Sequence, residues 1–264
     1  MLGGQKISGF VITYNEADNI AACLDTMKWA DEMIVVDSFS QDETVQIARR
    51  YTDRVIQRPF AAYTDQTRFA CEQCTGDWVV WLDADERLTP EALAELKARF
   101  EAPGGPGADG FSFPRKTYFL DRWIMHGGWY PQHKVRVFRR AAGRIGGNPA
   151  HPAAEIEGTV VKLRGDILHY SYPGGLVEMV QRSARFADLM AGELYAKGKR
   201  FSLLNLLFKP SFELLKKYVL QLGVLDGMPG LFIAVGAAYY RFVREAKLWE
   251  LGHGREQHKD DVVR

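Results

Sequence analysis

The chain has 264 residues, of which 47% are hydrophobic and 25% are charged, and its formal net charge is +1. This length fits one large domain, or one domain with an appendage, and the composition is typical of a globular protein with a full core. The near-zero net charge argues against a nucleic-acid-binding protein, and three cysteines are too few for a disulfide framework. No signal-peptide pattern opens the chain and no apolar stretch reaches the ~18–20 residues that span a bilayer, so we expect a cytoplasmic protein.

The first hundred residues alternate between apolar, β-favouring runs and helical segments. Caps are expected at Asn15, at the capping box 40–43 and at Thr89, which precedes Pro90. The resulting β-α-β-α-β-α-β order predicts an α/β fold with a doubly wound, mostly parallel sheet covered on both faces. The predicted elements are strand 7–13, helix 17–27, strand 33–36, helix 41–50, strand 54–57, helix 65–74, strand 78–82 and helix 90–100.

Polar residues follow three of these strands, in the segments 13–16, 37–38 and 83–85. Because open α/β sheets bind ligands at the carboxyl ends of their strands, we expect these residues to converge on one edge. Asp83 and Asp85 are two like charges that repel unless a cation lies between them, and carboxylate oxygens suit Mg²⁺ or Mn²⁺. The alternative is an acidic turn that caps the following helix. In the metal-binding interpretation, Asp85 holds the metal, Asp83 the donor, and Glu86 is expected to serve the following turn.

The pattern changes after the Gly/Pro-rich segment 102–107. Strands are predicted at 110–118, 134–139, 159–163 and 166–168, and a long helix at 175–197. Between the first two strands lies the segment 121–131, rich in Trp, Tyr, His and Gly, which fits either a sugar-binding loop or a loop that fills a core. The glycine-rich segment 143–158 is predicted to be irregular.

The C-terminal part consists of two amphipathic segments, 201–208 and 212–222, which Pro210 is predicted to separate, and an apolar segment 231–240 after a Gly/Pro break. The segment from Lys197 to Lys247 contains nine Lys and Arg residues and three acidic residues, so this part carries a net charge of +6 and the rest of the chain −5. Apolar helices flanked by basic residues predict an interfacial anchor on anionic lipid. The alternative is a helical appendage that packs on the sheet or in a dimer.

The chain contains neither G-x-G-x-x-G after its first strand nor a P-loop, which argues against a dinucleotide-binding enzyme and a P-loop ATPase. A carboxylate pair on such a sheet, without a glycine loop for phosphate, needs a metal to hold a diphosphate. Sugar transfer from a nucleotide diphosphate makes this demand, because the departing diphosphate gains negative charge. A general base must then deprotonate the acceptor hydroxyl, and a single displacement inverts the anomeric configuration.

Three segments carry a family resemblance: Thr13-Tyr14-Asn15-Glu16, Val36-Asp37-Ser38 and Trp81-Leu82-Asp83-Ala84-Asp85-Glu86. They resemble the family 2 glycosyltransferases, which have the GT-A fold. The segments 127–131, 136–139 and 168–172 extend the likeness to about residue 200 and look like the branch that adds glucose or a similar sugar to the lipopolysaccharide inner core. The resemblance implies a UDP-sugar donor, a lipid-linked saccharide acceptor, Mg²⁺ or Mn²⁺, and a peripheral position at the inner face of the cytoplasmic membrane.

The resemblance also implies roles for individual residues. Donor-binding residues are Thr13, Tyr14, Glu16, Asp37, Arg68 and Asp83, metal ligands are Asp85, Asp83 and His169, and acceptor-binding residues are Trp129, Tyr130 and Arg136.

The sequence departs from the family pattern at two positions that concern the acceptor side. Gln132 follows Pro131 where many relatives have Asp, and Pro152 follows His151 where many have Glu. We therefore predict Glu155 as the general base, with His151 and Asp121 as the alternatives.

The predicted domains are a GT-A domain over 1–199, with a nucleotide-sugar half 1–100 and an acceptor half 110–199, and amphipathic helices over 200–264. The oligomeric state stays open. The competing functions are a polyprenyl-phosphate glycosyltransferase, a sugar-phosphate nucleotidyltransferase and a non-catalytic scaffold that binds a nucleotide or a glycan.

Overall fold

The computed structural model describes residues 1–148 and 151–260, and the chain divides into two compact units. The first unit comprises residues 1–116 and 131–170. The second comprises residues 117–130 and the chain from Ser171 onwards. The domain boundary predicted at residue 199 therefore falls inside the second unit.

Four parallel strands form the centre of the first unit. They are β1 (Ile7–Thr13), β2 (Glu32–Asp37), β3 (Val55–Gln57) and β4 (Trp78–Asp83). β1 lies between β2 and β4, and β2 pairs with β3. Thr13 is in register with Asp37, and Ile12 with Asp83, so the carboxyl ends of these strands meet at one edge as predicted.

Helices cover both faces of this sheet. Residues of β4 alternate between two cores: Trp78, Val80 and Leu82 pack on one face, and Val79 and Trp81 on the other. Each fully buried valine or leucine side chain among them contributes about 1.5–3 kcal/mol to folding. The prediction of a doubly wound α/β sheet is confirmed. The helices are α1 (Ala17–Asp25), α2 (Thr44–Ala48) and α4 (Pro90–Glu101) on the first face, and α3 (Tyr63–Glu72) on the second.

Most of the remaining strands extend this sheet by antiparallel pairing, whereas β11 pairs parallel with β6, and β9 and β10 form a separate two-stranded sheet. β8 pairs antiparallel with β4 and with β6, and β12 pairs antiparallel with β5. The strand order is β3-β2-β1-β4-β8-β6-β12-β5. The bounds are β5 (Glu86–Leu88), β6 (Gly110–Phe119), β7 (Arg122–Ile124), β8 (Gln132–Arg139), β9 (Gly143–Asn148), β10 (His151–Ile156), β11 (Val160–Lys162) and β12 (Ile167–His169).

The prediction of an irregular segment at 143–158 is wrong. β9 and β10 form an antiparallel hairpin in which Arg144 lies opposite Glu155. Ile145 and Ile156 pack in the core on the α3 face. Cross-strand pairing and burial of these two side chains outweigh the low β propensity of the glycines.

Two predicted helix caps are also wrong. Asn15 adopts φ 53°, and α1 begins after Glu16. α2 begins after Glu43 rather than within the capping box, because the Ser40 hydroxyl bonds to Asp37 instead of to the helix. The Thr89 cap is confirmed, since its hydroxyl accepts from the Ala92 amide at 3.2 Å.

The second unit is mainly helical. Pro210 lies inside α6 and does not separate two segments, so that prediction is wrong. Pro210 cannot donate a backbone hydrogen bond to the helix, and we attribute the persistence of α6 to its packing along α7. In the part of the chain that the structure describes, no single helix is long and apolar enough to cross a membrane, whereas 203–220 and 223–253, bent by 71°, satisfy the length and composition criteria as a pair. The helices of the second unit are α5 (Gly175–Ala196), α6 (Leu203–Leu215) and α7 (Gly227–Asp260), with a π-helical turn at Lys216–Leu220 and a 3₁₀ turn at Gly223–Asp226.

Candidate active site

Two carboxylates, at the end of β4 and at the start of β5, share one guanidinium group. Nη2 of Arg136 donates to Asp83 Oδ2 and to Glu86 Oε1, each at 2.6 Å. The indole N–H of Trp81 donates to Asp83 Oδ1 at 3.1 Å, and the Arg136 guanidinium lies 4.1 Å from the centroid of the Trp81 ring. Both oxygens of Asp83 are therefore held by protein groups.

Arg136 reaches these carboxylates because β8 bulges at its position. Val137 pairs with Phe111 and Val135 pairs with Ser112, so Arg136 has no partner residue in β6. Bulges of this kind change the direction of a side chain and are frequent beside active sites.

Burial and charge determine the ionisation of this group. Burial alone would raise the pKa of Glu86, but the charges of Arg136 and Arg115 outweigh it and lower that pKa. Burial would likewise lower the pKa of Arg136, and Asp83 and Glu86 together raise it. Arg136 and Glu86 are therefore both charged. Glu86 is fully buried at the start of β5, and its Oε2 accepts from the Asp83 amide at 3.3 Å, so its side chain also holds the turn between β4 and β5.

Asp85 and His169, two of the predicted metal ligands, lie side by side. Asp85 Oδ2 is 3.3 Å from His169 Nε2, and the two side chains are 16% and 13% exposed. β12 brings the histidine there by pairing with β5, and the Tyr170 amide donates to the Asp85 carbonyl at 2.9 Å. Among the described residues, no group of three or more His, Cys, Asp or Glu is arranged to hold a metal ion.

The predicted donor-binding residues lie at the ends of β1 and β2 and on α3. Thr13 is buried, whereas the Tyr14 side chain is exposed. Asp37 is buried and accepts from the Ser40 backbone amide at 2.9 Å and from the side-chain Nε2 of Gln57 at 3.2 Å, so in this structure it fixes its own loop.

Glu16 and Arg68 have contacts of a different kind. The Glu16 amide donates to Thr44 Oγ1 at 2.8 Å, which ties the end of β1 to α2. Arg68 is an exposed residue of α3, and its Nε donates to the Ile145 carbonyl at 3.4 Å. Arg68 thereby links α3 to the β9–β10 hairpin.

The three candidate bases lie in different places. Glu155 and His151 are both on β10, where Glu155 is 46% exposed and forms an ion pair with Arg144 at 2.9 Å. Asp121 lies in the second unit, in the turn between β6 and β7. A hydrogen bond from Arg122 lowers the pKa of Asp121.

Trp129 and Tyr130 belong to the second unit, where Asp226 fixes their loop. The Asp226 carboxylate accepts from the Met125 amide at 3.2 Å and from the His126 amide at 2.8 Å. The Trp129 ring lies 5.9 Å from Phe119 and 6.2 Å from Tyr172, between ring centroids. Sequence reasoning missed Asp226, because nothing local links it to a loop a hundred residues away.

A cationic cluster beside Asp83 and Glu86 was also missed. Arg115 Nη1 lies 3.7 Å from Glu86 Oε1, and burial together with Arg115 and Arg136 lowers the pKa of Lys134. The two-residue period of 134–139 predicted one charged face on this strand, which was the available signal. The period does not indicate which side chains this charged face contacts.

The chain is similar in sequence to known glycosyltransferases. The family model described as glycosyl transferase family 2 matches residues 8–152. The lipopolysaccharide core biosynthesis glycosyltransferase LpsC of Rhizobium meliloti (strain 1021) is 29% identical over 257 residues, which are 95% of this chain and 94% of that protein. An uncharacterized glycosyltransferase of Rickettsia typhi is 31% identical over 94% of this chain and 88% of its own length. A solved structure, glucosyl-3-phosphoglycerate synthase from Mycobacterium tuberculosis in complex with Mn²⁺, uridine diphosphate and glucosyl-3-phosphoglycerate, matches with a TM-score of 0.49 and 17% identity over 75% of this chain and 82% of that one.

Proposed function

Because the chain belongs to glycosyl transferase family 2, we propose that it transfers a sugar, with glucose as the expected one, from a UDP-sugar to a lipid-linked saccharide such as the lipopolysaccharide inner core. The observation that carries this proposal is the edge of the sheet where Asp85 lies 3.3 Å from His169 and Asp83 is held by Arg136. The lipopolysaccharide-core relative supports the choice of acceptor.

The residues present at this edge fit a divalent cation. Asp85 and His169 would hold Mg²⁺ or Mn²⁺, since a carboxylate oxygen and an imidazole nitrogen, completed by diphosphate oxygens, form an acceptable donor set. When bound, the ion would supply Lewis-acid stabilisation of the charge on the departing diphosphate. Asp83, whose oxygens are held by Arg136 and Trp81, would orient the donor sugar and ribose rather than serve as a main ligand.

The uridine would lie at the ends of β1 and β2, against the exposed ring of Tyr14 and beside Thr13, Glu16 and Asp37. The family resemblance implies that Arg136 binds the acceptor, but this residue is buried against Asp83 and Glu86, and these contacts favour a positioning role. Trp129 and Tyr130 remain the proposed acceptor-binding residues.

Glu155 is the proposed base that takes the proton of the acceptor hydroxyl. It is exposed on the β9–β10 hairpin, where a substrate has access to its carboxylate. Transfer in a single displacement would then invert the anomeric configuration. His151 and Asp121 are the alternatives.

The exposed face of the helical unit supports a membrane-bound acceptor. Leu204, Leu207, Phe208, Phe212 and Leu215 recur at helical spacing on α6, and each is about half exposed or more. An apolar face of this kind beside basic residues fits peripheral binding to an anionic lipid surface.

A UDP-release assay tests the proposal. Purified protein is incubated with a panel of UDP-sugars, with and without lipopolysaccharide core acceptor, in Mn²⁺, Mg²⁺ or chelator. We expect acceptor-dependent UDP release with one UDP-sugar, abolished by chelation. Tight UDP binding without turnover would favour the non-catalytic scaffold, and turnover with a polyprenyl phosphate in place of the saccharide would favour that acceptor.

A further inference from the structure

The second unit contains a cavity of about 290 Å³ between the loop that carries Trp129 and the helices α5, α6 and α7. Its wall includes the rings of Trp129, Tyr172 and Tyr240 and the polar side chains of Ser183, Lys217 and Arg241. This volume lies just below the range of about 300–1,000 Å³ that is usual for small-molecule sites. It fits one ring-sized group.

The aromatic part of the wall is held in place before any ligand binds. The ring planes of Trp129 and Tyr172 are inclined by 31° to each other, with centroids 6.2 Å apart. The loop that carries Trp129 is fixed by Asp226 and by Lys217 Nζ, which donates to the Gly127 carbonyl at 2.8 Å. Flat aromatic faces beside hydrogen-bonding groups suit a ligand that has an apolar face and polar edges, as a pyranose ring has.

The charges of the wall leave one cation without an ionic partner. Arg241 is neutralised by the buried Glu213 at 3.1 Å. Lys217 forms no ion pair within the described part of the chain, and its bond to Gly127 uses one of its three donors. Burial lowers the pKa of Lys217, and the nearby Glu213, which is already paired with Arg241, opposes this effect only in part, so the cavity wall carries one excess positive charge.

We propose that this cavity binds one acidic sugar residue of the acceptor, with its ring against Trp129 and Tyr172 and its carboxylate or phosphate at Lys217. The assignment of the ligand to the acceptor rests on the proposed function. The cavity would then select acceptors by the charged sugar that they carry, in addition to any recognition at the donor site.

Binding of monosaccharides, measured by saturation-transfer NMR without any donor, tests this site directly. The probes are methyl glucuronide for the carboxylate, glucose 6-phosphate for the phosphate and methyl glucoside as the neutral sugar. We expect wild-type protein to bind at least one acidic probe about tenfold more tightly than the neutral one. Equal binding of all three probes, or binding of none, would overturn the proposal.

A matched pair of substitutions locates the binding. Ala237 lines the cavity and the adjacent Ala238 does not, so Ala237→Leu fills the space while Ala238→Leu adds the same volume outside it. We expect acidic-probe binding to fall at least tenfold in the first variant and to stay unchanged in the second. Equal binding by both folded variants would contradict the assignment of the cavity.

A second pair tests the cation. Lys217→Met should remove the preference for acidic over neutral probes, whereas Lys216→Met, the same change at a residue that does not line the cavity, should keep it. A preference retained in Lys217→Met would overturn the role of this lysine. Because no donor is present, failure of UDP-sugar turnover would count against the proposed function alone and would leave these binding results standing.

Discussion

Arg136 bonds through a single nitrogen to both Asp83 and Glu86, at 2.6 Å each. The Glu86 side chain is fully buried, whereas that of Asp83 is 34% exposed. The buried carboxylate fixes the arginine, and the arginine fixes the carboxylate that lies at the ligand edge of the sheet. One cation thus links the core of the first unit to its candidate active site.

Arg136→Gln should therefore destabilise the protein strongly. Removal of the cation leaves the buried Glu86 with only the more distant Arg115, at 3.7 Å, as a counter-ion, and the loss of a buried partner costs up to about 3–5 kcal/mol. Urea unfolding measures the change, and Arg139→Gln is the control, because its ion pair with Asp109 is partly exposed and contributes about 0–1 kcal/mol. Equal losses in the two variants would contradict the special role of the buried link.

Stability at low pH should depend on Glu32. Burial would raise the pKa of this carboxyl, but hydrogen bonds from Ser8 and Thr75 and the charge of Lys6 lower it from 4.5 to about 2. Because the pKa is lowered in the folded protein, ionised Glu32 stabilises the folded state by about 3 kcal/mol above about pH 4.5. This stabilisation is lost as the pH falls towards about 2. We expect Glu32→Gln to flatten the dependence of the free energy of unfolding on pH in this window. A slope as steep as that of the wild type would assign the effect to other carboxyls.

Asp85→Asn should remove metal-dependent turnover. The substitution takes away the carboxylate beside His169, so we expect kcat/KM for UDP release to fall by about 10²-fold or more. Titration of Mn²⁺ in the UDP-release assay gives the measurement. Asp53→Asn, the same change at an exposed residue, should behave as wild type. Full activity of Asp85→Asn in chelator would rule out its proposed metal role.

Glu155→Gln should lower kcat and leave the affinity for UDP unchanged. A general base contributes about 10²–10⁴-fold, and the amide keeps the size of the side chain but cannot take a proton. Glu157→Gln, at a neighbouring exposed residue, is the control. If both variants turn over at the wild-type rate, His151→Gln and Asp121→Asn become the next variants to assay.

Charges placed on the apolar face of α6 should release the protein from lipid. Leu204 and Phe208 are 67% and 66% exposed, and withdrawal of each from a bilayer costs about 1.5–3 kcal/mol. In co-sedimentation with vesicles that contain anionic lipid, Leu204→Glu/Phe208→Glu should bind about 10²-fold more weakly. Leu189→Glu, on α5, changes an exposed leucine outside this face and should bind like wild type. Wild-type protein that stays in the supernatant would contradict membrane binding by this face.

The sequence by itself determined the layers of the first unit and the edge at which ligands bind. Strand β4 could be predicted because its apolar run, ending in Asp83 and Asp85, depends only on local order along the chain. The meeting of Thr13, Asp37 and Asp83 follows from parallel pairing, which the alternation of strands and helices requires.

The tertiary structure alone decided which side chains hold one another. Arg136 reaches Asp83 and Glu86 because a bulge in β8 turns it there, and a bulge depends on the pairing of strands distant in sequence. The β9–β10 hairpin forms despite its glycines, because Ile145 and Ile156 gain burial in a core that the rest of the unit supplies. Propensity and periodicity act over a few residues, whereas a long-range pair or a core contact exists only once the fold has brought its members together.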